Sequence, residues 1–120
     1  MADGAETIAQ LVASTVAANK RSLAEDQTLG IYSDLQKGRI DRSALAPNLS
    51  DYFSEQVISD FRDSLGPMGE PLTFHQTYES LRGGMTLRVF LIVYPARRLT
   101  VSTYTYPDGK LEQFLVGPAD

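Results

Sequence analysis

The chain reads as an α+β domain in which N-terminal helices pack on a curved antiparallel sheet of about four strands. Two observations predict that class. From Pro71 to Val116, β-rich runs alternate with turn chemistry in the order PLTFHQTYES, LRGG, MTLRVFLIVYPARR, LTVSTYTY, PDGK and LEQFLV. The helical signals, apolar residues at 3.6-residue spacing behind capping side chains, all lie upstream. Between the two halves the link Gly66 to Pro71 (GPMGEP) carries two glycines and two prolines and separates helices from sheet.

Residues 1–21 hold an amphipathic stretch. Ile8, Leu11, Val12 and Val16 fall on one helical face of the segment Ile8 to Ala18, and this predicts a first helix docked on the body. A trimmed secreted precursor would have a similar start, but Asp3 and Glu6 stand where a signal peptide has basic residues. Ser22-Leu-Ala-Glu25 matches a capping box and starts the next helix, with Leu29, Ile31, Tyr32 and Leu35 as its apolar stripe. Gly38 stands where a left-handed C-terminal residue is expected, and Gly30, costly within a helix, predicts close packing of another element over it. Asp41 caps a single turn from Arg42 to Leu45 that Pro47 stops. A further helix is predicted over Ser54 to Leu65, burying Val57, Ile58, Phe61 and Leu65, with Gly66 as its left-handed end.

In the sheet half, Gly83-Gly84 and Asp108-Gly109 are hairpin signals, because glycine accepts positive φ. The strand between them is apolar on both sides, with Val89, Leu91 and Val93 facing one way and Phe90, Ile92 and Tyr94 the other. In the last strand Leu111 and Leu115 are expected opposite Phe114 and Val116. One side of such a sheet covers the helices. The other meets the N-terminal helix, a second copy of the sheet or a neighbouring domain.

At 120 residues, 42% hydrophobic and 22% charged, the chain fits one domain spanning 1–120, with a helical layer at 22–66 and a meander at 71–117. No cysteine is present, which excludes disulfides, thiolate nucleophiles and Cys-ligated zinc. The net charge of −4 argues against nucleic acid or an anionic membrane as partner. No window approaches the roughly 20 apolar residues of a membrane span. The chain is therefore read as soluble, and either a cytoplasmic or an exported location fits it.

Chemistry has few footholds. His75 is the only histidine, so no histidine pair or triad is available within one chain. With Glu79 or Thr77 on the same strand face it is a candidate general base. Asp60, Asp63 and Glu55 read as the solvent face of a helix rather than as metal ligands, and no metal or cofactor is expected. No nucleophile elbow or phosphate-binding loop is present. A pocket between sheet and helices would be lined by Phe74, Gln76 and Tyr78 on one strand face, by Arg88 across the hairpin, and by Tyr104 and Gln113 on later strands, as ligand-binding candidates.

The order of capped helix, Gly38-Arg39-Ile40-Asp41 turn, Tyr52-Phe53-Ser54-Glu55-Gln56 helix, GPMG link, Leu81-Arg82-Gly83-Gly84-Met85 hairpin and PDGKLEQ hairpin resembles the nuclear transport factor 2-like superfamily. Within that superfamily it is similar to small bacterial domains that occur alone or appended to serine hydrolases. The resemblance runs from about Leu23 to Val116. It implies a cone-shaped cystatin-like fold, dimers through the sheet, and a choice between non-catalytic modules and ketosteroid-isomerase-like or cyclase-like enzymes. In the enzymatic relatives a pocket carboxylate acts with hydrogen-bond donors; here Tyr32 stands where a donor would be, but the pocket strands offer no aspartate. The expected function is thus a non-catalytic accessory module that binds a small ligand or peptide or docks a partner through the sheet, with a homodimer or a second domain as the partner. The alternative is an isomerase- or cyclase-like enzyme using Tyr32, His75 or Glu79.

Overall fold

A computed structural model describes residues 21–119, so the helix expected over Ile8 to Ala18 lies outside the described residues. Helix α1 spans Leu23–Gln36 and begins with the predicted capping box. The Glu25 amide donates to Ser22 Oγ at 3.0 Å, and the Ser22 amide donates to Glu25 Oε1 at 2.8 Å. Thr28, Ile31, Tyr32 and Leu35 are its buried side. Gly38 ends it in the left-handed region at φ 77°. Among the described residues nothing packs over Gly30: it is exposed, and a Cβ built there meets none of their atoms within 4 Å.

Asp41 caps a 3-10 turn at Arg42–Ala44 by accepting from the Ser43 amide at 3.0 Å. Pro47 does not terminate a helix there but starts one. Helix α2, Pro47–Tyr52, carries the proline in its first turn, where a missing N–H costs no hydrogen bond. Arg42 closes the other end: its guanidinium donates to Ser50 O at 2.6 Å and Phe53 O at 2.7 Å, satisfying carbonyls that a short helix leaves free. Helix α3 spans Glu55–Leu65, capped by Ser54. Gly66 is not left-handed, with φ −54°; it opens a 3-10 turn, Gly66–Met68, that Gly69 ends at φ 71°. Gly66 is needed for a different reason, because a Cβ there would lie 2.9 Å from the Gln36 carbonyl oxygen where α3 meets α1. Of the apolar stripe of α3 only Leu65 is fully buried; Val57, Ile58 and Phe61 are half-buried.

The sheet comprises β1 (Thr73–Arg82), β2 (Met85–Val93), β3 (Arg98–Thr105) and β4 (Leu111–Pro118), antiparallel in the order β1-β2-β3-β4 and not closed. Gly83 and Gly84, at φ 60° and 84°, form the first hairpin turn, and Gly109, at φ 91°, serves the last one. Among the described residues three helices cover one face. Phe74, Phe90, Ile92, Leu99, Val101, Leu111 and Phe114 point into it and are buried with Tyr32, Leu35 and Phe53.

Two bulges change the facing of side chains. In β1 the register shifts between Gln76 and Tyr78, so Gln76 lies opposite Phe90 but Tyr78 lies opposite Val89. Phe74, Gln76 and Tyr78 therefore do not share a face; Tyr78 turns outward and is 47% exposed. In β4 the register shifts at Thr105, which pairs with Leu111 while Tyr104 pairs with Gln113. Leu111 consequently joins Phe114 in the core, both 1% exposed, and Leu115 alone faces outward at 54%. An extra residue in one strand reverses the alternation for everything after it.

Candidate functional site

The space between helices and sheet is filled by rings. Phe74 packs on Tyr32 with centroids 6.0 Å apart and on Phe90 at 5.6 Å, and Phe114 meets Phe53 and Phe61, each at 6.5 Å. Tyr32 is fully buried, its hydroxyl 2.9 Å from that of Tyr94. The Tyr94 hydroxyl donates to the Gly69 carbonyl at 3.0 Å, so the Tyr32 hydroxyl is the donor to Tyr94. Gln36 braces the same carbonyl at 2.7 Å and that of Leu65 at 3.0 Å. Burial, followed by the bond to Tyr94, pushes the Tyr32 phenol far above its ordinary value and keeps it protonated.

The three acid/base candidates stand in three separate places. Tyr32 lies in the core, His75 is exposed and pairs with Leu91 on the face away from the helices, and Glu79 lies at the hairpin end of the helix-covered face. Glu79 accepts from Arg88 Nε at 3.0 Å and from Gln76 Nε2 at 3.1 Å, which hold its carboxyl below the ordinary range. The ligand-binding candidates divide as well. Phe74 is core, Gln76 and Arg88 face the helices, and Tyr78, Tyr104 and Gln113 face away, Tyr104 directly opposite Gln113.

Arg88 lines a cleft of about 490 Å³ between the start of α1 and the hairpin end of the sheet, with Gln27, Thr86, Thr105 and Tyr106. Its guanidinium also donates to Thr105 Oγ1 at 3.4 Å, and Gln27 Nε2 donates to the Gly109 carbonyl at 3.2 Å. Among the described residues no group of three or more His, Cys, Asp or Glu could hold a metal ion, and no helix is long and apolar enough to cross a membrane.

The opposite face of the sheet has another character. Leu87, Val89, Leu91 and Val93 form a half-exposed row along β2, with Leu115 of β4 on the same side. His75, Tyr78, Ser80, Thr100, Ser102, Tyr104 and Gln113 surround the row, with Arg98 opposite Val93 at one end and Arg82 at the other. Register places no carboxylate on this face: Glu79 lies on the other side, and Glu112 is the extra residue of the β4 bulge. Among the described residues no helix covers it. The alternation of β2 foretold the row, but nothing in the sequence marked the two bulges, since neither Thr77 nor Glu112 is a glycine.

No protein-family model, curated protein or solved structure matches this chain.

Proposed function

We propose that the domain is a non-catalytic interaction module that associates through the uncovered face of its sheet, with a second copy of this chain as the occupant. The observation that carries this reading is the aliphatic row Leu87, Val89, Leu91 and Val93 on a face without carboxylates. The centre of the face is uncharged and its two arginines, Arg82 and Arg98, lie at opposite ends; this suits isologous packing, where each patch meets itself and like charges would repel. Four strands about 4.8 Å apart and about nine residues long make a face of roughly 19 by 30 Å. A pair would bury roughly 1,100 Å² in all, just above the ~1,000 Å² expected of a specific interface. The affinity is accordingly modest. The resemblance to nuclear transport factor 2-like domains supports the same reading, because dimers through the sheet are common among them.

Sedimentation equilibrium of the full chain tests it, with Leu91→Lys at the centre of the face and Leu115→Lys at its side. The expected result is a reversible dimer that each variant weakens at least tenfold while circular dichroism stays unchanged. A wild-type monomer at millimolar concentration, or variants that dimerise as tightly as wild type, would overturn a second copy as the occupant.

A further inference from the structure

A different surface lies at the far rim of the sheet. The stripe of α3 looks complete in sequence, yet Val57 and Phe61 are only half-buried. They line a cleft of about 320 Å³ with Tyr52, Asp60, Ser64, Leu65 and Val116. Val116 is the only sheet residue in that lining and belongs to the last strand, so the cleft sits at the β4 edge.

The two edges of the sheet differ. Each carries one bulge, mid-strand before Tyr78 in β1 and near the start of β4 at Glu112, but in β1 the Gln76 amide is also taken up, donating to Glu25 Oε2 at 2.6 Å. Bulges and covered amides are devices that keep a sheet edge from pairing. The β4 edge is covered only at its start, where Leu45 bridges Leu111 and the Ala46 amide donates to the Leu111 carbonyl at 2.7 Å. From Gln113 to Pro118 β4 pairs with β3 in regular register, and no backbone group of this stretch bonds outside the sheet among the described residues. No lysine, arginine or acid lies within Gln113 to Gly117 to discourage pairing, and Pro118, which cannot donate, marks where the pairable edge ends.

We propose that the β4 edge and the α3 cleft together form a site for an extended peptide, which adds as a fifth strand and places an apolar side chain against Phe61, Val57 and Tyr52. Backbone pairing supplies the affinity, and the pocket for an alternate side chain supplies selectivity. Charge adds a second preference. Asp60 lines the cleft, accepts only from Gln56 Nε2 at 2.8 Å and forms no ion pair among the described residues, so it favours a lysine or arginine two positions from the apolar anchor. The predicted ligand class is an extended peptide without proline that carries an apolar residue and, two positions away on the same face, a lysine or arginine.

The test uses the full chain and a fluorescein-labelled, capped Thr-Lys-Thr-Phe-Thr-Lys-Thr peptide, whose lysines lie two positions either side of the phenylalanine and so on the same face of the strand, read by anisotropy. A second peptide of the same sequence carries N-methyl groups at alternate backbone amides. Saturable binding is expected, weakened at least tenfold by N-methylation, by Tyr52→Ala and by Asp60→Lys. Tyr52 is 52% exposed, so its replacement leaves the core intact. Leu91→Lys, on the face proposed for self-association, should leave peptide binding unchanged and so separates the two proposals. Absence of binding at the peptide's solubility limit, equal binding of the N-methylated peptide, or indifference to Asp60→Lys would each overturn this site.

Discussion

At the scale of single residues, Glu25 does two jobs with one carboxylate. One oxygen completes the helix cap with Ser22, and the other accepts the Gln76 amide of β1. Burial pushes its pKa up, but the Gln76 and Ser22 bonds outweigh burial and hold the carboxyl below its ordinary 4.5. A depressed folded value means that the stabilisation is fully present above 4.5 and is lost as pH falls through the folded value. Glu25→Ala should cost about 1–2 kcal/mol at neutral pH, read from denaturant midpoints, and the difference from wild type should shrink in acid. The cap was legible because its partners are three positions apart. The tie to Gln76 was not, since 51 positions separate the two and only the fold brings them together.

Tyr32 titrates in the opposite sense. Its phenol keeps its proton in the folded chain above the ordinary value of 10.0, whereas the unfolded chain releases it there. The folded state then binds more protons, so stability falls as pH rises beyond about 10. Tyr32→Phe should lose about 1 kcal/mol at pH 7, because the Tyr94 hydroxyl retains Gly69 as acceptor, and should flatten the alkaline loss measured in urea titrations. An unchanged alkaline limb would contradict the assignment. Tyr32 could be read from sequence as a polar residue on an apolar stripe. Its partner could not, because Tyr94 lies 62 positions away.

Among the elements, α1 shows how far local rules carry. Capping box, stripe and left-handed terminus all stand where the residues placed them. Gly30 is the exception, an exposed glycine without a neighbour among the described residues, which give the helix no packing return for its backbone entropy. Gly30→Ala should stabilise the chain by about 0.5–1 kcal/mol, raising the thermal midpoint in calorimetry, and a decrease would show that something covers this position. Short α2 escaped notice because Pro47 reads equally as a stop and as a first helical residue. What decides between them is Arg42, whose guanidinium holds the far end of the helix. The bulges in β1 and β4 escaped notice for a different reason. Each inserts one ordinary residue, and the pattern of apolar positions reports it only after the register is known. Those two insertions decided which candidates could meet, and they sent Tyr78 and Leu115 outward and Leu111 into the core.

For the whole molecule, the class and the meander followed from period and turn chemistry, and the helices do lie on one side of a four-stranded sheet. The site was less legible. Side chains that look convergent along a sequence are distributed by register between a ring-filled interior and an outer face that no described helix covers, and a pocket needs both identity and facing. The two-sided apolar character of β2 is the part that held, and it is the physical reason for expecting a companion on the outer face.

Methyl NMR of the full chain over a dilution series from millimolar to micromolar concentration reads that face most directly. Self-association through it predicts that the methyl resonances of Leu87, Val89, Leu91, Val93 and Leu115 move together on dilution while those of Leu35 and Ile92 stay fixed. Constant positions for the outer-face methyls across the series, or shifts confined to other residues, would contradict the account.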